Sequence, residues 1–210
     1  MGFDSAITDL RALAPRAGLQ LPDPMVRDVV DGYGRPTRAY HSFDHVLEVL
    51  SHWRAADDEV PWNRPAETFL AVLYHDVVYE PGRVDNEVRS ARWAERACKA
   101  WLPPSTVDIE RVVALIELTA QHGKLRAGDV DAEAARFLDC DMAILGAGRQ
   151  RFGEYERQIA DEYAHLPPEA FAEGRRRFVE KLLAMPTIYL SDYGARFEAA
   201  ARRNLAAFLD

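Results

Sequence analysis

A helical spacing of apolar residues runs through almost the whole chain and limits what the chain can fold into. Ala, Leu, Arg and Glu are frequent among the 210 residues, and apolar side chains recur three and four positions apart. No segment sustains the apolar-polar alternation of a half-buried strand, and no hairpin dipeptide separates two strand-like runs. The pattern therefore predicts an all-α protein, a compact helical bundle.

Start and stop signals divide this pattern into about ten helices. The predicted helix starts that bear on function are Ser42, Pro65, Asp85, Ser105 (with Asp108 completing a capping box) and Asp129 or Asp131. The helix opened by Pro65 is predicted to continue through Tyr79, up to the Pro81-Gly82 pair. Because no Gly/Ser-rich linker interrupts the chain, we expect residues 1–210 to form a single domain.

The charge and the apolar content exclude several classes of protein. With 26 basic and 34 acidic residues the net charge is −8, which disfavours a partner as acidic as long nucleic acid. No apolar run approaches the ~20 residues needed to cross a bilayer, and the N-terminus lacks the features of a signal peptide. Cys98 and Cys140 lie in apolar helical contexts and are predicted to be small core residues. We therefore expect a cytoplasmic protein without a membrane partner.

One apolar run, from Phe69 to Tyr79, contains His75 and Asp76. Because the run is apolar on all sides, its helix is predicted to be buried on most faces. A buried imidazole beside a buried carboxylate needs partners, since an unpaired interior charge costs many kcal/mol. Hydrogen bonds within the core are one way to supply these partners, and a bound metal ion is the more specific hypothesis.

A second apolar run, residues 137–145, contains two carboxylates on different helix faces. Asp141 has apolar residues three and four positions away on both sides, so we expect it to point into the core. Asp139 lies on a thinner, partly polar face and is predicted to pair with Arg136. Two residues apart on a helix, the two acids point about 200° away from each other and are not expected to share one ligand.

The other histidines give weaker signals. His41 and His45 have the four-residue spacing of a helical metal pair, but a cap at Ser42 places His41 outside the helix. His122 ends an apolar helix, where the helix dipole alone favours a histidine, and Lys124 follows it. Two interpretations of His122 are equally compatible with this pattern. It can belong to a cationic spot that faces a site, or it can have only a structural role at the end of the helix.

The order His45, His75-Asp76, Asp141 resembles that of the HD-domain metal-dependent phosphohydrolase superfamily. Further features of the resemblance are Tyr40-His41-Ser42, Val77-Val78-Tyr79, Asp85-Asn86-Glu87, Ser90-Ala91 and Asp139. Together they are similar to a bacterial group of single-domain predicted HD phosphohydrolases. The distinctive part of the resemblance covers about residues 38–145, and weaker motifs, Gly174-Arg175 and Asn204-Leu205, extend it to the C-terminal half. It implies a metal-site core in residues 38–145, with helices in residues 148–210 packed on it.

The resemblance implies an HD-type fold with one divalent metal held by His45, His75, Asp76 and Asp141. Two imidazoles and two carboxylates suit Mn²⁺, Fe²⁺, Co²⁺, Ni²⁺ or Zn²⁺ better than Ca²⁺. The further roles that it implies are catalytic for Asp76, Glu87 and His122, and phosphate-binding for His122, Lys124 and Arg38. The alternatives are an ordinary first-turn acid for Glu87 and a solvated surface charge for Arg38.

These features predict a metal-dependent phosphohydrolase that acts on a small phosphate ester, foremost a nucleotide, as a monomer or a homodimer. One alternative is a nucleotide- or metabolite-binding module that keeps the metal site without turnover. A di-iron oxygenase on the same scaffold is less favoured. It needs more histidines than His122 between Asp76 and Asp141.

Overall fold

The computed structural model describes residues 3–35 and 37–209, and these residues form helices and connecting segments without any strand. This confirms the predicted all-α fold class. The α-helices of the described residues are α1 (Phe3–Leu13), α2 (Asp23–Tyr33), α3 (Phe43–Glu59), α4 (Pro65–Tyr74), α5 (Asn86–Trp101), α6 (Ile109–Leu118), α7 (Ala132–Met142), α8 (Arg149–Glu162), α9 (Pro168–Leu183), α10 (Asp192–Ala195) and α11 (Glu198–Leu209). Short 3₁₀ helices span Ala14–Ala17, Thr119–Gln121 and Ala143–Gly146.

The chain divides into two compact units, residues 1–120 and residues 121–210. The boundary falls within the region 38–145, where the resemblance implies the metal-site core, and the single domain stays a prediction. None of the helices in the described part of the chain has the length and apolar character needed to span a bilayer.

Helix α4 is the centre of the first unit, where it packs against α3, α5 and α6. Every residue from Phe69 to Tyr74 is fully buried, which confirms the prediction of a helix buried on most faces. Trp53 of α3 donates a hydrogen bond of 2.9 Å from Nε1 to Oγ1 of Thr68, so a polar contact also fixes α3 against α4.

The C-terminal end of α4 differs from the prediction. The helix ends at Tyr74, not at Tyr79, and His75 and Asp76 lie in the turn that follows. The apolar run continues past the helix because Val77 and Val78 remain buried in an irregular segment. Backbone groups of this segment bond to side chains from other elements, as described below, so the helix need not continue to satisfy them.

Most of the other predicted starts are confirmed, with one exception. Ser42, Asp85 and Asp131 are the N-caps of α3, α5 and α7, and Asp131 accepts a hydrogen bond from the backbone of Ala134. The predicted start at Ser105 is wrong. Asp108 caps α6 with its own side chain, which accepts from the backbone N–H of Arg111.

In the second unit the predicted environment of Asp139 is wrong. This side chain is 2 % exposed, whereas Asp141 is only half-buried. Asp139 accepts from the backbone N–H groups of Leu190 and Ser191, the latter at 2.7 Å, and from the Ser191 hydroxyl at 2.5 Å. A chain segment about fifty residues further on therefore covers Asp139, and its pairing with Arg136 stays a prediction.

Candidate metal centre

Three of the predicted ligands come together in the first unit. His45 lies in the first turn of α3, and His75 and Asp76 directly follow α4. The Nε2 atoms of His45 and His75 are 3.0 Å apart, and Asp76 Oδ2 lies 3.3 Å from His75 Nε2 and 3.8 Å from His45 Nε2. Each residue thus offers one donor atom to a common point, as a group that can hold a metal ion must.

The donor distances fit a transition-metal ion. A point equidistant from the three atoms lies about 2.0 Å from each of them, close to the usual lengths of metal–nitrogen and metal–oxygen bonds. Two imidazoles and one carboxylate are also the mixed nitrogen and oxygen donors that such ions prefer. The geometry and the donor chemistry therefore agree.

The tautomer of His75 is set by its surroundings. Its Nδ1 lies 2.9 Å from the carbonyl oxygen of Val72, which can only accept, so Nδ1 carries the proton. In the neutral ring Nε2 then has its lone pair directed toward His45 and Asp76. A backbone carbonyl that accepts a hydrogen bond from the ring nitrogen away from the metal commonly orients a metal-ligating histidine.

Arg38 fixes the backbone of the turn that contains Asp76. Its guanidinium is buried and donates to the carbonyl oxygens of Asp76 at 2.6 Å, Val77 at 2.8 Å and His41 at 3.2 Å. The interpretation of Arg38 as a solvated surface charge is therefore wrong. A phosphate contact of this side chain stays a prediction.

Two side chains of α5 hold the segment after Asp76. Ser90 Oγ accepts from the backbone N–H of Val78 and donates to its carbonyl oxygen, both at 3.1 Å. One helical turn earlier, the side-chain amide of Asn86 bonds the N–H and the carbonyl oxygen of Glu80, both at 3.0 Å. The motif residues Asn86 and Ser90 thus form a side-chain clamp on residues 78–80.

Tyr33, the last residue of α2, completes the support of this turn. Its hydroxyl oxygen accepts a hydrogen bond of 3.1 Å from the backbone N–H of Asp76. Burial raises the pKa of Tyr33 above its usual range, so the hydroxyl stays neutral. Asp76 is therefore held through its backbone by Tyr33 and Arg38, which leaves its carboxylate to the group with His45 and His75.

The remaining predicted site residues lie in two places. Glu87 is half-buried in the first turn of α5. In the second unit, His122 Nε2 lies 2.8 Å from Asp141 Oδ2, and the exposed Lys124 closes a turn through its backbone N–H. The structure therefore pairs His122 with Asp141. The metal-ligand role of Asp141 and the roles of His122, Lys124 and Glu87 in the reaction stay predictions.

Sequence reasoning assigned no role to His41, which lies beside the group. Its Nε2 is 3.9 Å from Asp76 Oδ2, and its ring stacks on that of Tyr79 with the centroids 3.8 Å apart. The four-residue spacing to His45 was the available signal. The cap at Ser42 correctly excludes His41 from the helix, but the turn before α3 still directs it toward Asp76.

The two cysteines are core residues, as predicted. Cys98 and Cys140 are each 1 % exposed. Burial raises the pKa of the Cys98 thiol to about 11 and that of Cys140 well above its usual value. Neither sulfur is suited to act as a thiolate nucleophile.

Comparisons with models of protein families, with curated proteins and with solved structures give no match for this chain. The functional assignment therefore depends on the sequence motifs and on the geometry described above.

Proposed function

We propose that this protein is a metal-dependent phosphohydrolase that acts on small phosphate esters, with nucleotides as the first candidates. The observation that carries the proposal is the convergence of His45 Nε2, His75 Nε2 and Asp76 Oδ2, separated by 3.0 to 3.8 Å. The order of these residues along the chain also resembles that of HD-domain phosphohydrolases. The donor geometry supports a metal, and the resemblance supports the phosphate ester.

In this proposal His45, His75 and Asp76 hold one divalent transition metal such as Mn²⁺, Co²⁺ or Ni²⁺. When bound, the metal supplies an activated water and stabilises negative charge on the phosphoryl group. The protein contributes a rigid site. The Val72 carbonyl orients the His75 ring, and Arg38 and Tyr33 hold the backbone of Asp76.

Glu87 is the proposed proton carrier of the first unit. It follows Asn86, whose side chain is tied to the backbone of Glu80, so its position on α5 is fixed relative to the segment after Asp76. It is half-buried and remains reachable by water. A carboxylate in such a place can take a proton from an attacking water or pass one to solvent.

The first test measures metal binding and hydrolysis with the full chain. Titration of the metal-free protein with Mn²⁺ is expected to show about one tight site. Asp76→Asn and His75→Ala are each expected to weaken Mn²⁺ binding by more than about 100-fold, since removal of a supporting residue alone typically costs 10- to 100-fold. The Mn²⁺- and Co²⁺-loaded proteins are then assayed on p-nitrophenyl phosphate and on nucleoside mono-, di- and triphosphates.

His165→Ala is the matched control, because His165 is an exposed histidine of the second unit. Its metal affinity and activity should equal those of the wild type. Circular dichroism should show that the Asp76→Asn protein is folded, because its half-buried side chain is replaced by one of the same shape. Metal binding without hydrolysis of any ester would refute the enzyme and favour a binding module. Failure to bind Mn²⁺, Co²⁺ or Ni²⁺ would refute the metal centre itself.

A further inference from the structure

The side chain of His41 is held in a defined orientation beside the metal-binding group. The turn that carries it is closed by a 2.7 Å hydrogen bond from the N–H of Ser42 to the carbonyl oxygen of Tyr40, and Arg38 binds the carbonyl oxygen of His41. Its ring stacks on Tyr79 at an interplanar angle of 22° and meets the ring of Tyr40 at 83°. Packing and backbone bonds together therefore limit the directions in which its Nε2 can point.

That direction is toward Asp76. His41 Nε2 lies 3.9 Å from Asp76 Oδ2, the oxygen that also faces His45 and His75. A separation of 3.9 Å is too long for a direct hydrogen bond. This separation allows His41 and Asp76 to contact the same third atom between them, such as the oxygen of a water molecule or of a bound ligand.

The exposure of the four side chains shows from which side a ligand can arrive. The side chains of His45 and His75 are 2 % and 1 % exposed, whereas those of His41 and Asp76 are 16 % and 15 % exposed. Water and small solutes therefore reach the group along its His41–Asp76 edge. A molecule that binds there meets the His41 imidazole before it meets the buried histidines.

We propose that His41 contacts the substrate of the proposed phosphohydrolase, donating a hydrogen bond from Nε2 to a phosphoryl oxygen held beside Asp76. The inference rests on the proposed function and extends it by one substrate-binding residue. His41 is not among the residues whose donor atoms all lie within 4.8 Å of one another, so a contact to the ligand suits it better than a bond to the metal. An imidazole N–H aimed at a phosphoryl oxygen stabilises the charge that develops there.

Two substitutions separate the hydrogen bond from the packing. His41→Phe keeps a ring that can stack on Tyr79 but removes the N–H donor. His41→Gln removes the ring but can place an amide N–H near the position of Nε2. The matched control is His165→Phe, which makes the same exchange at an exposed histidine of the second unit.

The first readout is binding, independent of turnover. Each Mn²⁺-loaded protein is titrated with inorganic phosphate, followed by the paramagnetic broadening of the phosphate ³¹P signal. We expect His41→Phe to bind Mn²⁺ as the wild type does and to bind phosphate about 10- to 100-fold more weakly, the range for a hydrogen bond to a charged group. His41→Gln should recover part of the phosphate affinity, and His165→Phe should match the wild type.

The second readout is kcat/KM on the best ester, which should fall in His41→Phe and be partly restored in His41→Gln. Unchanged phosphate affinity in His41→Phe would overturn the proposal and leave His41 a packing residue. Loss of Mn²⁺ from the same variant would overturn it by making His41 a metal ligand. If the wild type binds Mn²⁺ and phosphate but hydrolyses nothing, the proposed enzyme fails, while the binding measurements still decide the contact of His41. A wild type that binds no phosphate overturns both.

Discussion

Replacement of Ser90 by alanine removes a single hydroxyl group but leaves two buried backbone groups without that hydrogen-bond partner. Ser90 is fully buried, and its hydroxyl is bonded to both the N–H and the carbonyl oxygen of Val78, which is 5 % exposed. A buried polar group left without its partner costs about 1–3 kcal/mol. Two such groups, less about 0.5 kcal/mol gained in helix propensity, give an expected loss of about 1.5–5.5 kcal/mol in the free energy of unfolding of the first unit.

Urea unfolding followed by tryptophan fluorescence measures this loss, because all four tryptophans lie within residues 1–120. With a chelator present, so that no metal contributes, the midpoint of Ser90→Ala should fall by about 1 M or more. Ser51→Ala is the matched control, since Ser51 is an exposed serine within α3, and its midpoint should stay within about 0.3 M of the wild type. Equal midpoints for the two variants would refute the claim that Ser90 holds the segment after Asp76.

Two further predictions concern other parts of the chain. In Gly194→Ala the new Cβ would overlap Oδ2 of Asp139, so we expect the free energy of unfolding to fall by about 1–3 kcal/mol, measured by thermal unfolding followed by circular dichroism. Gly174→Ala, with no atom within 4 Å of its Cβ, should instead be neutral or stabilising. Burial raises the pKa of Asp28, which accepts a hydrogen bond from Trp93. The folded state therefore binds the proton of this carboxyl group more tightly than the unfolded state does. The stability that the bound proton contributes is lost as the pH rises through the raised pKa. Asp28→Asn should therefore gain stability relative to the wild type as the pH is raised through the acid range, and a constant difference in urea midpoint between pH 4 and pH 7 would contradict this.

Local signals were enough to predict where most helices begin. Pro65 sets the backbone dihedral that a first helical residue needs, and Asp131 satisfies a free N–H at the start of α7. The burial of α4 was also predictable, because apolar residues on every face leave it no solvated side. The convergence of His45 with His75 was implied by the resemblance, and the structure brings the two Nε2 atoms to within 3.0 Å of each other.

The errors arose where distant parts of the chain decide the outcome. The apolar run after Tyr74 resembles more helix, but Ser90 supplies the hydrogen bonds that a continued helix would otherwise provide for Val78. Asp139 has a partly polar helical neighbourhood in the sequence, yet the backbone around Leu190 covers it. His41 was assigned no role because its direction depends on a turn and on the ring of Tyr79, neither of which follows from spacing.

The side-chain bonds around residues 76–80 also determine how this segment opens to solvent. The amide hydrogens of Asp76, Val78 and Glu80 are bonded to Tyr33 at the end of α2 and to Ser90 and Asn86 on α5. Their exchange with deuterium therefore requires these bonds to side chains of α2 and α5 to open, in addition to any fraying of α4. These three amide hydrogens of an irregular segment beside the candidate metal centre should consequently exchange more slowly than those of an exposed turn without such bonds.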